Sequence, residues 1–344
     1  MTHKERFLAT IERRPVGYPA SWMGLPVPEA LKSLFDHFKV SSVAELKALL
    51  DDDVYPIEVP YNNPPTNDIG CALNFMKVDD DHLAQEERTL TAPGFFEDIT
   101  DPALIETFPW PDPAKCIDVE ESLRRVRAVS NDYFKMGIMW SAHFQDACAA
   151  FGMETALVVM YTNPEMFQAI VDRIIEFYLK ANEIFYEATK GELDGVLIGN
   201  DFGSQCALMV SPDDLRQFIL PGTKKLVDQA KSYGLKVVHH SCGSIYPVIG
   251  DLFDLGVDVV HPIQALATDM SAEKLSVDFA GKGAFFGGID AQHLLVNGDA
   301  ESIKADVVRL KELFPTGLVL SPSHEAVLPD IPPANIGAIF SAVK

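Results

Sequence analysis

Lys236-Val237-Val238-His239-His240-Ser241-Cys242-Gly243-Ser244-Ile245-Tyr246-Pro247-Val248 reads as a strand, a glycine turn and the start of a helix. The apolar run has strand length, and the residues after Gly243 take up helical spacing. In an extended strand, side chains two apart point to the same side. The imidazole of His240 and the thiol of Cys242 therefore aim at one spot where the strand ends. His239 points the other way, toward the helix layer, and is read as packing.

The same unit recurs outward from this stretch. Strands are expected at 135–140, 194–199, 257–260, 284–287 and 318–320, which with the run ending at His240 makes six. Helices are expected at 164–189, 212–233, from Ser244 to about Leu255, near 271–277, near 300–313 and from Pro333. Buried strands alternating with helices imply a parallel sheet with helices outside it. Val16–Trp22 and Val54–Val59 could supply two more strands, and eight would close the sheet on itself. The fold class expected is therefore α/β, a (β/α)8 TIM barrel, as a single domain over residues 1–344 with N-terminal elaborations. Residues 60–130, with Asn62-Asn63-Pro64-Pro65 and Pro109-Trp110-Pro111-Asp112-Pro113, read as long loops or an insertion.

Composition bounds the function. The chain has 344 residues, 47% hydrophobic and 23% charged, with a formal net charge of -22. A nucleic-acid binder would carry a basic face, so no nucleic-acid partner is expected. No apolar run reaches the length of a membrane span. The N-terminal Met1-Thr2-His3-Lys4-Glu5-Arg6 leads into an amphipathic helix and lacks the features of a signal peptide. Five cysteines, at 71, 116, 148, 206 and 242, are odd in number and irregular in spacing. A disulfide framework is not expected, and the expected location is cytoplasmic. The chain is compatible with a homodimer, and nothing in it sets the oligomeric state.

In a barrel, catalytic groups sit at the C-terminal ends of the strands. Asp201, His240, Cys242, His261, Asp290 and His324 all fall at or just after such ends. Imidazole and thiolate are ligands zinc prefers, and open catalytic zinc sites use three protein ligands. His240, Cys242 and His324 are the expected metal set, with contact to substrate or a loop role as the other readings of His324. Glu325 is a candidate catalytic group or partner of a ligand, against simple solvation. Asp201 and Asp290 are candidate catalytic carboxylates; each could instead cap the segment that follows. His143 and His261 are candidate substrate-binding residues, His261 more by shaping a cavity than by ligating metal.

Asp201-Phe202-Gly203-Ser204, Val210-Ser211-Pro212, His240-Ser241-Cys242-Gly243, Gly287-Gly288-Ile289-Asp290 and the segment Leu328–Ile336 together resemble the uroporphyrinogen decarboxylase superfamily, over about 130–344. The resemblance implies a (β/α)8 barrel and offers two branches. The decarboxylases grip a polyanionic tetrapyrrole partly with arginines in an N-terminal R-Q-A-G-R loop. The matching Ser21-Trp22-Met23-Gly24-Leu25-Pro26 has no arginine. The other branch is similar to corrinoid-dependent methyltransferases such as methylcobalamin:coenzyme M methyltransferase, which hold zinc with an H-x-C pair and a distant cysteine in G-P-G-C. His240 and Cys242 match the pair; Ser321-Pro322-Ser323-His324 stands where the distant cysteine would be.

The resemblance thus implies a zinc-dependent methyltransferase. It would move a methyl group between a corrinoid (cobalamin) on a partner protein and a small thiol, folate or methyl-ether substrate. A decarboxylase acting without metal on a carboxylated substrate is the alternative. No D-x-H-x-x-G cobalamin signature occurs in the chain, so the corrinoid protein is expected to be separate.

Overall fold

The computed structural model describes residues 1–62, 65–66, 68–76, 89–279 and 281–344. Part of the stretch expected as long loops, residues 63–64, 67 and 77–88, lies outside these. The central feature is a seven-stranded parallel sheet. Its strands in chain order are β1 (Val54–Glu58), β2 (Phe134–Trp140), β3 (Gly195–Gly199), β4 (Lys236–His240), β5 (Val259–Ile263), β6 (Ala284–Ile289) and β7 (Leu318–Pro322). Each pairs with the next, as consecutive βα units require.

The edges β1 and β7 are joined by one short segment. Trp22 N–H donates to Leu320 O at 2.9 Å, and Leu320 N–H donates to Ala20 O at 2.9 Å. On the other side, Asp53 N–H donates to Ser21 O at 3.0 Å. This closes the barrel. The strand expected over Val16–Trp22 is thus reduced to a single bridge, Ser21 to Leu320. The reason is chemical: Pro19, inside the span, has no N–H to give a ladder. Two buried carboxylates hold the segment instead. Asp53 Oδ2 accepts from Ser21 N–H at 2.9 Å, and Asp52 Oδ2 accepts from Met23 N–H at 3.1 Å. Arg6 and Lys47 in turn compensate the two charges.

Side chains alternate as a barrel demands. Val238, Leu197, Val319 and Phe286 join an inner core, whereas Val237, Val196 and Ile198 pack in the outer layer against helices. His3–Ile11, held by a Thr2–Glu5 capping box, covers the bottom of the barrel. Its Phe7 stacks on Phe134 with centroids 3.9 Å apart. Full burial of such a ring contributes about 1.5–3 kcal/mol.

The outer helices follow the expected positions within a residue or two: Pro164–Ala188, Tyr246–Asp254, Ala272–Asp278, Ala300–Leu313 and Pro333–Val343. The helix expected over 212–233 is interrupted by one wide turn at Leu215–Ile219. Pro221 explains it, since proline cannot donate to the preceding turn and its ring crowds that turn's carbonyl. In the region read as loops, the described residues include the helix Val119–Arg127 and short 3₁₀ turns at Ile69–Ala72 and Pro102–Thr107. Among the described residues no helix is long and apolar enough to cross a membrane.

Candidate metal centre

Strand alternation turns Val238 and His240 into the barrel and His239 out of it, where His239 stacks on Phe202 at 5.5 Å. His240 lies opposite Gly199 of β3 in the register. A Cβ on Gly199 would stand 2.6 Å from the His240 Cβ, so only glycine leaves room there. Cys242, two residues on, lies beside His240, and the chain then turns away at Gly243, with φ +85°. The Gln264 side-chain oxygen accepts from Gly243 N–H and Asp201 Oδ1 accepts from Cys242 N–H at 2.8 Å, fixing the turn from both sides.

His240 is the hub. Its Nε2 lies 3.4 Å from Cys242 Sγ and 3.3 Å from Asp201 Oδ1. Its Nδ1 lies 2.9 Å from His261 Nδ1 and 3.6 Å from Glu325 Oε2. Glu325 Oε2 also lies 3.4 Å from His324 Nδ1, and it is buried with no hydrogen-bond partner among the described residues. Donor atoms fall into three overlapping sets, each within 4.8 Å: Asp201, His240 and Cys242; His240, His261 and Glu325; Cys242, His324 and Glu325. The last set does not contain His240. His324 Nδ1 accepts from Ala326 N–H at 3.0 Å, which leaves its Nε2 as the other functional nitrogen.

The charges reinforce one another. Burial opposes a charge on His240, but Asp201, Cys242 and Glu325 outweigh it and hold its pKa well above the usual imidazole value. Burial likewise opposes a thiolate at Cys242, yet His240 and His324 bring its pKa below that of an ordinary thiol. Cys242 raises His324. His261, buried and beside the His240 charge, is pushed well down and stays neutral.

The other expected residues lie elsewhere. Asp290 accepts from the backbone N–H groups of Gln292, His293 and Leu294, so its carboxylate caps the next turn and is not brought to the cluster. His143, a candidate for binding substrate, is fully buried and bonded to Asn200, Ser141 O and Ile219 O.

The structure adds residues not singled out from the sequence. Trp140 sets its indole edge-on to His240, with ring centroids 5.4 Å apart. Trp140 and Ser141 both have positive φ, 47° and 62°, strain that a bulky residue tolerates only where its surroundings impose it. Gln145 brackets Asp201, taking its N–H and donating to its carboxylate. Gln264 could have been found, because it directly follows β5 and so sits at a strand end.

Two cavities flank the cluster. One of about 280 Å³ is lined by Asp68, Trp140, Asp146, Asp201, His240 and Glu325 among others. The other, of about 370 Å³, reaches His324 from the opposite side. A third, of about 390 Å³, lies outside the barrel between β1 and the helix Val119–Arg127 and contains none of the clustered donors.

The donor set suits zinc. Bonds of about 2.0–2.3 Å at tetrahedral angles place two ligand atoms roughly 3.3–3.8 Å apart. His240 Nε2 stands at 3.4 Å from Cys242 Sγ and 3.3 Å from Asp201 Oδ1, while Glu325 Oε2 lies against the Nδ1 atoms of His240 and His324.

No curated protein sequence matches the chain. Among solved structures, a methyltransferase from Methanosarcina mazei has the same fold, with a TM-score of 0.70 and 18% identity, covering 100% of this chain and 98% of that one. The family model of uroporphyrinogen decarboxylase (URO-D) matches residues 83–344. That span holds every clustered donor and all barrel strands but β1, and it places the chain in the uroporphyrinogen decarboxylase (URO-D) family.

Proposed function

We propose that this barrel is a zinc-dependent methyltransferase. It would move a methyl group between a corrinoid on a partner protein and a small thiol, folate or methyl-ether substrate. The observation that carries the reading is the 3.4 Å approach of His240 Nε2 to Cys242 Sγ at the barrel mouth. The reading includes a single barrel domain over residues 1–344 and a cytoplasmic location.

When bound, zinc supplies a Lewis acid that lowers the pKa of a thiol or polarises a methyl–heteroatom bond. The chain's own groups prepare its place. His240 would offer Nε2 to the metal while its Nδ1–H donates to His261 Nδ1, the outer arrangement that fixes the tautomer of a ligating histidine. Cys242 would offer a thiolate, which its neighbours already favour. Asp201 holds the Cys242 backbone and, with Gln145, keeps the turn in place.

His324, which lies against Cys242, is the third ligand we propose. For that role its ring must release the Ala326 N–H or turn over, since a neutral imidazole cannot accept at one nitrogen and bind metal through the other. Asp201 competes for the position, because its oxygen shares one 4.8 Å set with His240 and Cys242. Zinc content of His324→Ala and Asp201→Asn separates the two: the true ligand is the one whose loss strips the metal.

The decarboxylase alternative fits the cavities poorly. Neither cavity at the cluster is lined by a lysine or arginine that could grip a polyanion.

The test is an absorbance assay for interconversion of methylated and reduced cobalamin, with thiols, folates and methyl ethers as partners. His240→Ala should abolish turnover. Release of carbon dioxide from uroporphyrinogen at a useful rate would overturn the choice.

A further inference from the structure

The cluster forms a wall between two cavities of opposite character. On the His240 side, Asp68, Asp146, Asp201 and Glu325 face the space together with the Trp140 indole. On the His324 side the walls are largely aliphatic, from Val296, Leu328 and Ile331, with the amides of Gln264 and Gln292. The single carboxylate there, Asp330, is exposed.

Gln264 is the distinctive group on that side. It is only 7% exposed, and its oxygen is taken by Gly243 N–H in the turn that carries Cys242. Amide orientation is often ambiguous, but here a backbone donor settles it. With the oxygen engaged, what the side chain can offer a molecule in the cavity is its NH2. A donor fixed at the edge of an apolar space selects a molecule bearing an acceptor atom.

Charge narrows the choice further. The chain carries a net charge of -22, and no lysine or arginine lines the cavity. His324 is the one base in its lining and would be neutral as a ligand, and the charge of a bound metal would be balanced by Cys242, Asp201 and Glu325. An anion entering the cavity would therefore be desolvated with no surplus counter-charge, and apolar walls penalise a cation as well. The volume of about 370 Å³ suits a small molecule and excludes a corrin ring system.

We propose that this cavity holds the small reactant of methyl transfer. That reactant is uncharged and largely apolar and carries one hydrogen-bond acceptor, which Gln264 recognises. The inference rests on the methyl-transfer reading and deepens it by naming the substrate class and a specificity residue. With a thiol as acceptor the balance is simple. The sulfur electron pair forms the new S–C bond, the Co–C pair stays on cobalt and reduces Co(III) to Co(I), and the thiol proton leaves to solvent.

The test uses three probes titrated calorimetrically into the zinc-loaded protein. 2-Methoxyethanethiol and 1-butanethiol are isosteres that differ by one ether oxygen, and 2-mercaptoethanesulfonate adds a charge. The ether thiol should bind at least tenfold more tightly than the sulfonate and several-fold more tightly than butanethiol. Gln264→Glu keeps an oxygen for Gly243 but removes the NH2. It should erase the preference for the ether while zinc content is unchanged, which a purely structural role would not do. Val296→Phe and Ala291→Leu, two independent ways of filling the cavity, should each weaken ether-thiol binding fivefold or more.

Equal or tighter binding of the sulfonate, no binding of any probe, or wild-type binding in both filled variants would overturn the proposal. Binding needs no turnover, so the two readings fail separately. Selective binding without methyl transfer sinks the proposed reaction and keeps the cavity assignment. Methyl transfer to the sulfonate in preference to the ether thiol does the reverse.

Discussion

His261→Phe tests whether His240 ligates metal through Nε2. In the structure His261 Nδ1 is 2.9 Å from His240 Nδ1 and the two rings are tilted with centroids 5.1 Å apart. Phenylalanine keeps the ring packed against Trp22 and Phe286, whose centroids lie at 5.5 and 5.7 Å. It removes the nitrogen that accepts from His240, together with the buried Nε2 that has no partner among the described residues. What remains near that N–H is Glu325 Oε2 at 3.6 Å, too long for a good hydrogen bond. Loss of such an outer partner usually weakens metal binding by about 10–100-fold, or about 1.4–2.7 kcal/mol. The fold should respond in the opposite direction. His261 Nε2 is buried with no partner among the described residues, and exchanging an unsatisfied nitrogen for carbon removes a penalty. Competition against a zinc chelator should therefore show the loss of affinity, while metal-free thermal unfolding shifts upward or not at all. Zinc affinity within twofold of wild type would refute the assignment of Nε2 to the metal. A large loss of metal-free stability would show that the ring's role is in the fold.

Three further outcomes follow from other parts of the molecule. Purified protein should hold about one zinc per chain, and Cys242→Ser should lose most of it by elemental analysis with far-UV circular dichroism unchanged. Asp53→Ala removes the fully buried partner of Arg6 and should cost about 3–5 kcal/mol in urea unfolding, whereas Glu301→Ala in an exposed pair should leave the midpoint in place. Burial pushes the Asp146 carboxyl up to about 8, so the folded state binds a proton that the unfolded chain releases above its ordinary value of 3.8. Its contribution is fully present below that value and is lost as pH rises through about 8. The stability difference between wild type and Asp146→Asn, followed by denaturant titration, should therefore move against wild type over that interval, and a flat difference would count against the shift.

Much of the barrel was legible in the sequence because two periods are hard to mistake. Val237 and Val238 divide between outer and inner layers as strand alternation requires, and the same rule put His240 beside Cys242. Val16–Trp22 forms less of a strand than its apolar residues suggest, because Pro19 cannot donate to a ladder and only Ala20–Trp22 reach the neighbouring strands. Asp290 shows a second limit: a carboxylate after a strand caps a turn as readily as it serves a site, and only the three backbone donors around it decide. His143 follows a strand end yet turns back into the protein, since Trp140 and Ser141 reverse the chain with positive φ. Gln264 is marked in the sequence only by its place after a strand, since amides carry no titration or ligand signature; its importance comes from Gly243, 21 residues away.

The seam at Ser21 gives assembly an order. Residue 21 pairs with residue 320, and a contact across nearly the whole chain carries a high loop-closure cost and is among the slowest to form. His324 and Glu325 hang from the same seam, because Glu325 O accepts from Leu25 N–H at 2.6 Å and Ala326–Val327 pair with Leu25–Pro26. A molecule whose segment Ser21–Pro26 has not docked would carry His240 and Cys242 in place but would lack the support that holds His324 and Glu325 beside them. Such a protein could hold a loosely bound metal yet offer no selective chamber beside it. Substrate discrimination would then report complete folding more faithfully than metal content does.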